Sequence, residues 1–159
     1  MDTHLFVGLA GYVGRPEEGA VGVFRKSITE GAWQHVLDSR DAHVVYVHPN
    51  SANYIFAGTD DGIWRSTDKG LTFEKANLHR DGIGIWSFLT SEDDPDVMFA
   101  GGSPIEIFKS IDRGKNWTSL AVPILEAVSY THLRAHETLK DLVFRLLLEK
   151  GAGGGGGGG

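Results

Sequence analysis

The sequence predicts an all-β fold of about three four-stranded antiparallel sheets. Two observations lead to this prediction: an eight-residue pattern that occurs twice, and a short strand ending in glycine that occurs three times. Residues 66–73 and 110–117 both read Ser-x-Asp-x-Gly-x-(Thr/Asn)-aromatic. Self-similarity at a period of this size is typical of repeat architectures, in which each repeat is one small structural unit.

Each residue type of the eight-residue pattern has a role in a tight turn. An Asp at the start of a turn can accept hydrogen bonds from backbone N–H groups two or three residues further on. Glycine supplies positive φ, and the aromatic residue fixes the outgoing strand by burying a ring. We therefore predict that the two aspartates are structural rather than catalytic. The predicted structural set is Ser66, Asp68, Gly70, Phe73, Ser110, Asp112, Gly114 and Trp117.

The strands around these turns repeat as well. Three versions of one strand ending in glycine occupy residues 5–8, 55–58 and 98–101. After the first of these strands, residues 27–33 form a degraded copy of the eight-residue pattern, with Thr29 in place of Asp. Further apolar strands occupy residues 22–25, 44–47, 62–65, 85–88 and 106–109. Four short antiparallel strands in about forty residues form a β-propeller blade. We predict an incomplete β-propeller over residues 1–127, with blades at about 1–38, 39–80 and 81–125.

The eight-residue pattern resembles the Asp box of the BNR-repeat β-propellers, a group that includes sialidases and sortilin-like receptors. The resemblance implies six or more blades, so we expect this chain to be the N-terminal part of a longer protein. It also implies a rigid module that binds a protein or carbohydrate ligand. The alternative is part of an exo-glycosidase of the sialidase type, which needs an Arg triad, a Tyr–Glu pair and a general acid. That catalytic set is not present here, and Gly14-Arg15-Pro16 lacks the Ile of the sialidase Arg-Ile-Pro motif.

Candidate ligand-binding residues follow from the topology of a blade. Loops between the second and third strands share one face with the connections between blades, opposite the Asp boxes, and in sialidase-like relatives that face carries the active site. An Arg there can bind a carboxylate bidentately, and an Asp can act as an acid or a hydrogen-bond acceptor. Alternatively, the repeated Arg-Asp dipeptides at residues 40–41 and 80–81 only anchor the connections between blades, through a salt bridge or a turn. The candidates are Arg15, Arg40, Asp41, Asp60, Asp61, Arg80 and Asp81.

Three other residues are predicted to have no ligand role. His48 precedes Pro49 in a loop and is predicted to be a surface histidine. Trp64 and Trp86 alternate with other residues within strands and are predicted to lie in the core.

The first repeat has no room for an innermost strand before Leu5, so the strand over residues 5–8 is predicted to have an unpaired inner edge.

Composition narrows the class of partner. The 159-residue chain has no cysteine. Its formal net charge of −6 argues against a surface that binds nucleic acid or anionic membranes. No apolar run is long enough to span a membrane, and no Lys or Arg precedes the apolar residues 5–14 as in a signal peptide. We therefore predict a cytoplasmic protein that needs no cofactor and binds no metal.

The C-terminal residues are predicted to be foreign to the propeller. Residues 128–138 and 141–150 resemble a translated sequencing adapter around a variable index, and residues 151–159 resemble translated poly-G. Leu139, Leu142, Val143, Leu146 and Leu147 have helical spacing, so a helix is still predicted in this tail. The apparent metal-site pattern of His132 and His136 has no functional meaning if the adapter interpretation is right. We expect residues 128–159 to pack little against the blades.

Overall fold

The computed structural model describes residues 3–11, 21–29, 31–38 and 41–121. The predicted all-β fold is confirmed: the described residues form three antiparallel sheets and contain no helix. The predicted helix and glycine tail within residues 128–159 lie outside them. The strands are β1 (His4–Leu9), β2 (Gly22–Ser27), β3 (Gln34–Asp38), β4 (Ala42–Val47), β5 (Ile55–Thr59), β6 (Gly62–Ser66), β7 (Glu74–Lys75), β8 (Gly84–Thr90), β9 (Met98–Ser103), β10 (Glu106–Ser110) and β11 (Thr118–Leu120).

Each sheet is a blade in which consecutive strands pair. The first blade has the order β1-β2-β3, the second β4-β5-β6-β7 and the third β8-β9-β10-β11. The outermost strands of the second and third blades are short, with two residues in β7 and three in β11. Within the described residues β1 pairs with β2 alone, so its other edge has no strand partner, as the sequence predicts.

The core lies between the blades. Strand residues alternate between the two faces of a sheet, so neighbouring residues of β5 point to different blades. Ala57 packs with Val23 and Leu37 of the first blade, whereas Phe56 packs with residues of the third blade such as Phe88 and Trp117. All five residues of β5 are buried as a result.

Phenylalanine and glycine of the repeated strands make the closest contacts between blades. A Cβ atom on Gly58 would lie 2.5 Å from the carbonyl oxygen of Ile85, and one on Gly8 would lie 2.9 Å from that of Ala42. Phe56 lies against the Asp-box glycine of the following blade, Gly114, where a Cβ atom would overlap the phenyl ring. Phe6 lies against Gly70 in the same way. The phenylalanine and glycine of the Phe-x-Gly patterns in β1 and β5 therefore contact the adjacent blade.

The two Asp boxes have the same hydrogen bonds. Asp112 Oδ1 accepts from the backbone N–H groups of Lys115 and Asn116 at 3.1 and 2.9 Å, and Oδ2 accepts from Asn116 Nδ2 at 2.6 Å. Ser110 Oγ donates to Asp112 Oδ1 at 2.8 Å and accepts from the N–H of Gly114 at 2.9 Å. The corresponding bonds in the second blade join Ser66, Asp68, Gly70, Leu71 and Thr72.

Two consecutive residues of each box have positive φ. The φ angles are 73° at Gly70 and 74° at Gly114, and the preceding residues, Lys69 and Arg113, also have positive φ, at 62° and 56°. Such pairs point several backbone N–H groups toward one side of the turn, where the carboxylate accepts them. The left-handed conformation of the non-glycine residue was not evident from the sequence.

These hydrogen bonds stabilise the ionised carboxylates. Partial burial acts to raise the pKa of Asp68, but hydrogen bonds from Thr72, Ser66 and Leu71 outweigh it and lower the pKa from 3.8 to about 2. Burial also acts to raise the pKa of Asp112, and hydrogen bonds from Asn116, Ser110 and Lys115 lower it. An aspartate whose pKa is lower in the folded state than in the unfolded state stabilises the protein at pH values above its unfolded-state pKa. That stabilisation is lost as the pH falls through the folded-state pKa.

We expect the boxes to make the protein acid-labile between about pH 4 and pH 2. After allowance for solvent screening, their protonation should lower the free energy of unfolding by about 1–2 kcal/mol. Urea-denaturation midpoints across this pH range measure the change. An Asp68→Asn/Asp112→Asn variant should be less stable at neutral pH and lose less on acidification. A variant with the same acid dependence as the wild type would contradict this assignment.

Candidate functional site

The loops of the second and third blades fall on two faces. The Asp-box turns lie beside the β4–β5 and β8–β9 loops, because the N–H of Lys69 donates to the carbonyl of Asn53 at 3.1 Å and that of Arg113 to Asp96 at 2.9 Å. The β5–β6 and β9–β10 turns lie at the other ends of the strands, with the chain segments that enter β4 and β8. We call this second side, residues 41, 60–61, 76–83 and 103–106, the connection face.

Strands β4 and β8 carry a β-bulge at the same place near the connection face. The register shifts between Ala42 and Val44 in β4, and between Ile85 and Ser87 in β8. His43 and Trp86 are the residues between them. A bulge takes a side chain out of the regular alternation and re-aims it, and bulges are common next to active sites.

The two bulged residues meet across the boundary between the second and third blades. The rings of His43 and Trp86 are stacked, with centroids 3.9 Å apart and an interplanar angle of 9°. A Cβ atom on Gly84 would lie 3.2 Å from Trp86 Nε1 and 3.9 Å from the Cα of Asp60. The edge of the indole and the backbone of Asp60 therefore both lie beside Gly84. We call His43, Asp60, Gly84 and Trp86 the His43–Trp86 site.

Trp86 is exposed, so the prediction that it lies in the core is wrong. Its side chain is 52% exposed. Within the described residues, neither its indole N–H nor the carboxylate of Asp60 has a hydrogen-bond or ion-pair partner. Strict alternation predicts a buried Trp86, and the bulge removes this residue from the alternation. Trp64, in an unbulged strand, is half-buried and packs against the core between the first two blades.

The predicted ligand-binding candidates occupy different positions. Arg15 and Arg40 lie outside the described residues. Asp41 Oδ1 accepts a hydrogen bond from the N–H of Gly11 at 2.9 Å, and the carbonyl of Asp41 accepts from the N–H of Asp60 at 3.2 Å. Asp41 therefore joins the first blade to the second, next to the His43–Trp86 site.

The other candidates lie around the connection between the second and third blades. Asp61 forms an ion pair with Lys75 at 3.1 Å, and Arg80 forms one with Glu106 at 2.9 Å. Asp81 is exposed. Residues 75–81 line an open pocket of about 390 Å³. Arg80 thus ties the connection to the third blade, whereas Asp81 is available to a ligand.

His48 is buried, so the prediction of a surface histidine is wrong. It is 2% exposed, and Nε2 donates to the carbonyl of Pro95 at 2.7 Å while Nδ1 accepts from the N–H of Asn50 at 3.3 Å. The side chain joins the β4–β5 loop to the β8–β9 loop of the next blade. The His-Pro dipeptide indicates a loop, but it carries no information on this contact.

Across the described ranges, no three His, Asp or Glu side chains converge as metal ligands. No described segment forms a helix with the length and hydropathy of a membrane span.

Comparisons with known proteins agree with this architecture. Residues 61–152 match the Sortilin-Vps10 family, described as sortilin, neurotensin receptor 3. A xyloglucanase of Hypocrea jecorina (strain QM6a) is 31% identical over 81 residues, which is 48% of this chain and 9% of that enzyme. An ancestral GH74 enzyme of known structure superposes with a TM-score of 0.54 and 21% identity, over 62% of this chain and 15% of that enzyme. The chain therefore spans a small part of the length of either enzyme.

Proposed function

Since the chain belongs to the Sortilin-Vps10 family of propeller-type proteins, we propose that it is a rigid ligand-binding module that holds a carbohydrate chain at the His43–Trp86 site. The stacked, half-exposed indole of Trp86 is the observation that carries the proposal. Isolated exposed aromatics are common on protein surfaces. This ring differs because a bulge and a stacking partner from the second blade, His43, fix its position.

The chemistry of the site suits a sugar ring. A pyranose has an apolar C–H face that can lie flat on an aromatic ring, and its hydroxyl groups need hydrogen-bond partners. Trp86 offers the aromatic surface and an N–H donor, and we propose that Asp60, whose Cα lies beside Gly84, supplies a carboxylate acceptor. His43 holds the indole in place, so little side-chain entropy is lost on binding.

The names of the relatives supply two probes. One relative is a xyloglucanase, and the family description includes a neurotensin receptor. A xyloglucan oligosaccharide tests a carbohydrate ligand, and neurotensin tests a peptide ligand. We favour the carbohydrate because the flat face of the indole, with an N–H donor at its edge, matches the apolar face and the hydroxyl groups of a sugar ring.

We expect Trp86→Ala to weaken binding of a xyloglucan oligosaccharide by about 10- to 100-fold, in line with loss of an aromatic anchor. Titration calorimetry measures the affinity. Trp33→Ala is the matched control, because Trp33 is also half-exposed, at 47%, and lies in the first blade. Equal losses in both variants, or Trp86-dependent binding of neurotensin alone, would overturn the carbohydrate proposal.

A second candidate is part of a glycoside hydrolase. It is favoured by the identity to the xyloglucanase together with the position of Asp60, whose Cα lies beside Gly84 in the His43–Trp86 site. Glycoside hydrolysis needs two carboxyl groups across the bond that is cleaved. Release of reducing sugar from xyloglucan tests this function. Turnover lost in Asp60→Asn with binding retained would support the enzyme, and binding without turnover in the wild type would support the binding module.

A further inference from the structure

A pocket adjoins the His43–Trp86 site on the connection face. Residues 75–81, which lead from β7 toward β8, line this open cavity of about 390 Å³. The turn between β5 and β6 reaches both the pocket and the site. The Cα of Asp60, in this turn, lies 3.9 Å from the Cβ position of Gly84. A Cβ atom on Gly62, at the end of the same turn, would lie 3.5 Å from the side chain of Leu78 in the pocket.

The pocket and the indole are close enough for one ligand to contact both. Asp81, at the end of the pocket, and Trp86 are five residues apart, so their Cα atoms are separated by at most about 18 Å. Gly84 lies between them in the chain, and a Cβ atom there would lie 3.2 Å from Trp86 Nε1. Glycine at this position therefore leaves the edge of the indole less covered than any other residue would.

The backbone of His79 gives the pocket a defined shape. Its φ of 53° is left-handed, a conformation that residues with a Cβ atom rarely adopt. Such conformations persist where the surrounding structure holds them, and they cluster at ligand sites. Both neighbours of His79 are held, since Leu78 is buried and Arg80 forms an ion pair with Glu106. The exposed His79 is therefore presented at the pocket by a fixed stretch of chain.

The polar side chains of the pocket differ in whether they are already paired. Both of its cations form ion pairs, Lys75 with Asp61 and Arg80 with Glu106. His79 and Asp81 are exposed, and neither side chain has a hydrogen-bond or ion-pair partner in the part of the chain that the structure describes. An imidazole can donate and accept hydrogen bonds, and a carboxylate accepts them. The pocket therefore suits neutral hydroxyl groups better than an anion.

We propose that the ligand is a neutral oligosaccharide that stacks one ring on Trp86 and continues into this pocket, where its hydroxyl groups bond to His79 and Asp81. This inference rests on the proposed function, because it adds a second binding position to the His43–Trp86 site. A chain that occupies both positions gains affinity from each of them, since the second contact forms within one complex. The site thus selects saccharides long enough to reach from the indole to the pocket.

The double variant His79→Gly/Asp81→Asn tests the second position on the full chain. Glycine suits the φ of 53°, so the imidazole is removed without backbone strain, and asparagine keeps the shape of aspartate. Titration calorimetry with a xyloglucan oligosaccharide should show an affinity about 5- to 100-fold lower than that of the wild type, in line with loss of two hydrogen bonds. Circular dichroism establishes that the variant folds.

The matched control is Lys69→Gly/Asp93→Asn. Both residues are exposed, and Lys69 also has positive φ, at 62°. They lie in the second Asp box and the β8–β9 loop, on the opposite side from the connection face. The control should bind the oligosaccharide like the wild type, and equal affinity of the two double variants would overturn the second position.

Two-dimensional NMR of the labelled protein separates failure of this inference from failure of the proposed function. The xyloglucan oligosaccharide should shift the indole N–H resonance of Trp86 and the amide resonance of Asp81. A shift at Trp86 without one at Asp81 overturns the second position and leaves the ligand at the indole. Shifts at neither residue overturn the proposed function as well.

Discussion

Replacing Gly114 with alanine should lower the free energy of unfolding by about 2–5 kcal/mol. Two costs add. The φ of 74° is unfavourable for any residue with a Cβ atom, by about 1–2 kcal/mol. The new methyl group would also overlap the ring of Phe56, which is fully buried between blades and has no room to move. Overpacking of this kind costs about 1–3 kcal/mol.

Urea denaturation of Gly114→Ala and Gly82→Ala separates these two costs. Gly82 has a similar φ but open space at the Cβ position, so its variant should lose only the backbone contribution. Adding Phe56→Leu to Gly114→Ala should recover part of the lost stability, since the smaller side chain leaves room for the methyl group. Equal losses at Gly114 and Gly82 would show that the ring contact contributes nothing.

Trp117→Ala should destabilise the protein by a similar amount, about 3–5 kcal/mol, because it leaves a large cavity. The indole is 0% exposed, lies 6.1 Å from Phe88 between ring centroids, and donates from Nε1 to the carbonyl of Gly114 at 3.0 Å. Loss of the ring therefore removes packing against the blade core and leaves the Asp-box carbonyl without its donor.

Trp33→Ala provides the comparison for this residue. Trp33 occupies the same place in the degraded turn but is 47% exposed, so its removal should cost less than about 1 kcal/mol. Thermal and urea unfolding measure both variants. If the two losses were equal, burial of the Asp-box aromatic would not be what stabilises the blade.

The sequence predicts the fold because the repeat can be read directly. The Ser-x-Asp-x-Gly pattern marks the turn in the second and third blades, and the Phe-x-Gly strands mark their centres. A turn is stabilised by residues that are close in sequence, such as Ser110, Asp112 and Gly114, so its chemistry appears in the residue types. This local origin is why element order could be predicted without a structure.

The ligand site could not be predicted in the same way. A bulge shifts the register by one residue without changing the apolar pattern, so nothing in the sequence shows that Trp86 leaves the core. The stacking of Trp86 on His43 and the bond from His48 to Pro95 join residues of different blades. Such contacts depend on how blades pack, and a pattern within one repeat does not contain that information.

The placement of each phenylalanine on the next Asp-box glycine also bears on how the chain folds. Phe6 and Gly70, or Phe56 and Gly114, are separated by more residues than one blade contains. An Asp box in a lone blade would leave its glycine bare and its aromatic neighbour poorly covered, as at Gly31 and Trp33. We therefore expect the smallest cooperative folding unit to be a pair of adjacent blades rather than one. In an array coupled only between nearest neighbours, fraying should begin at a terminal blade and move inward.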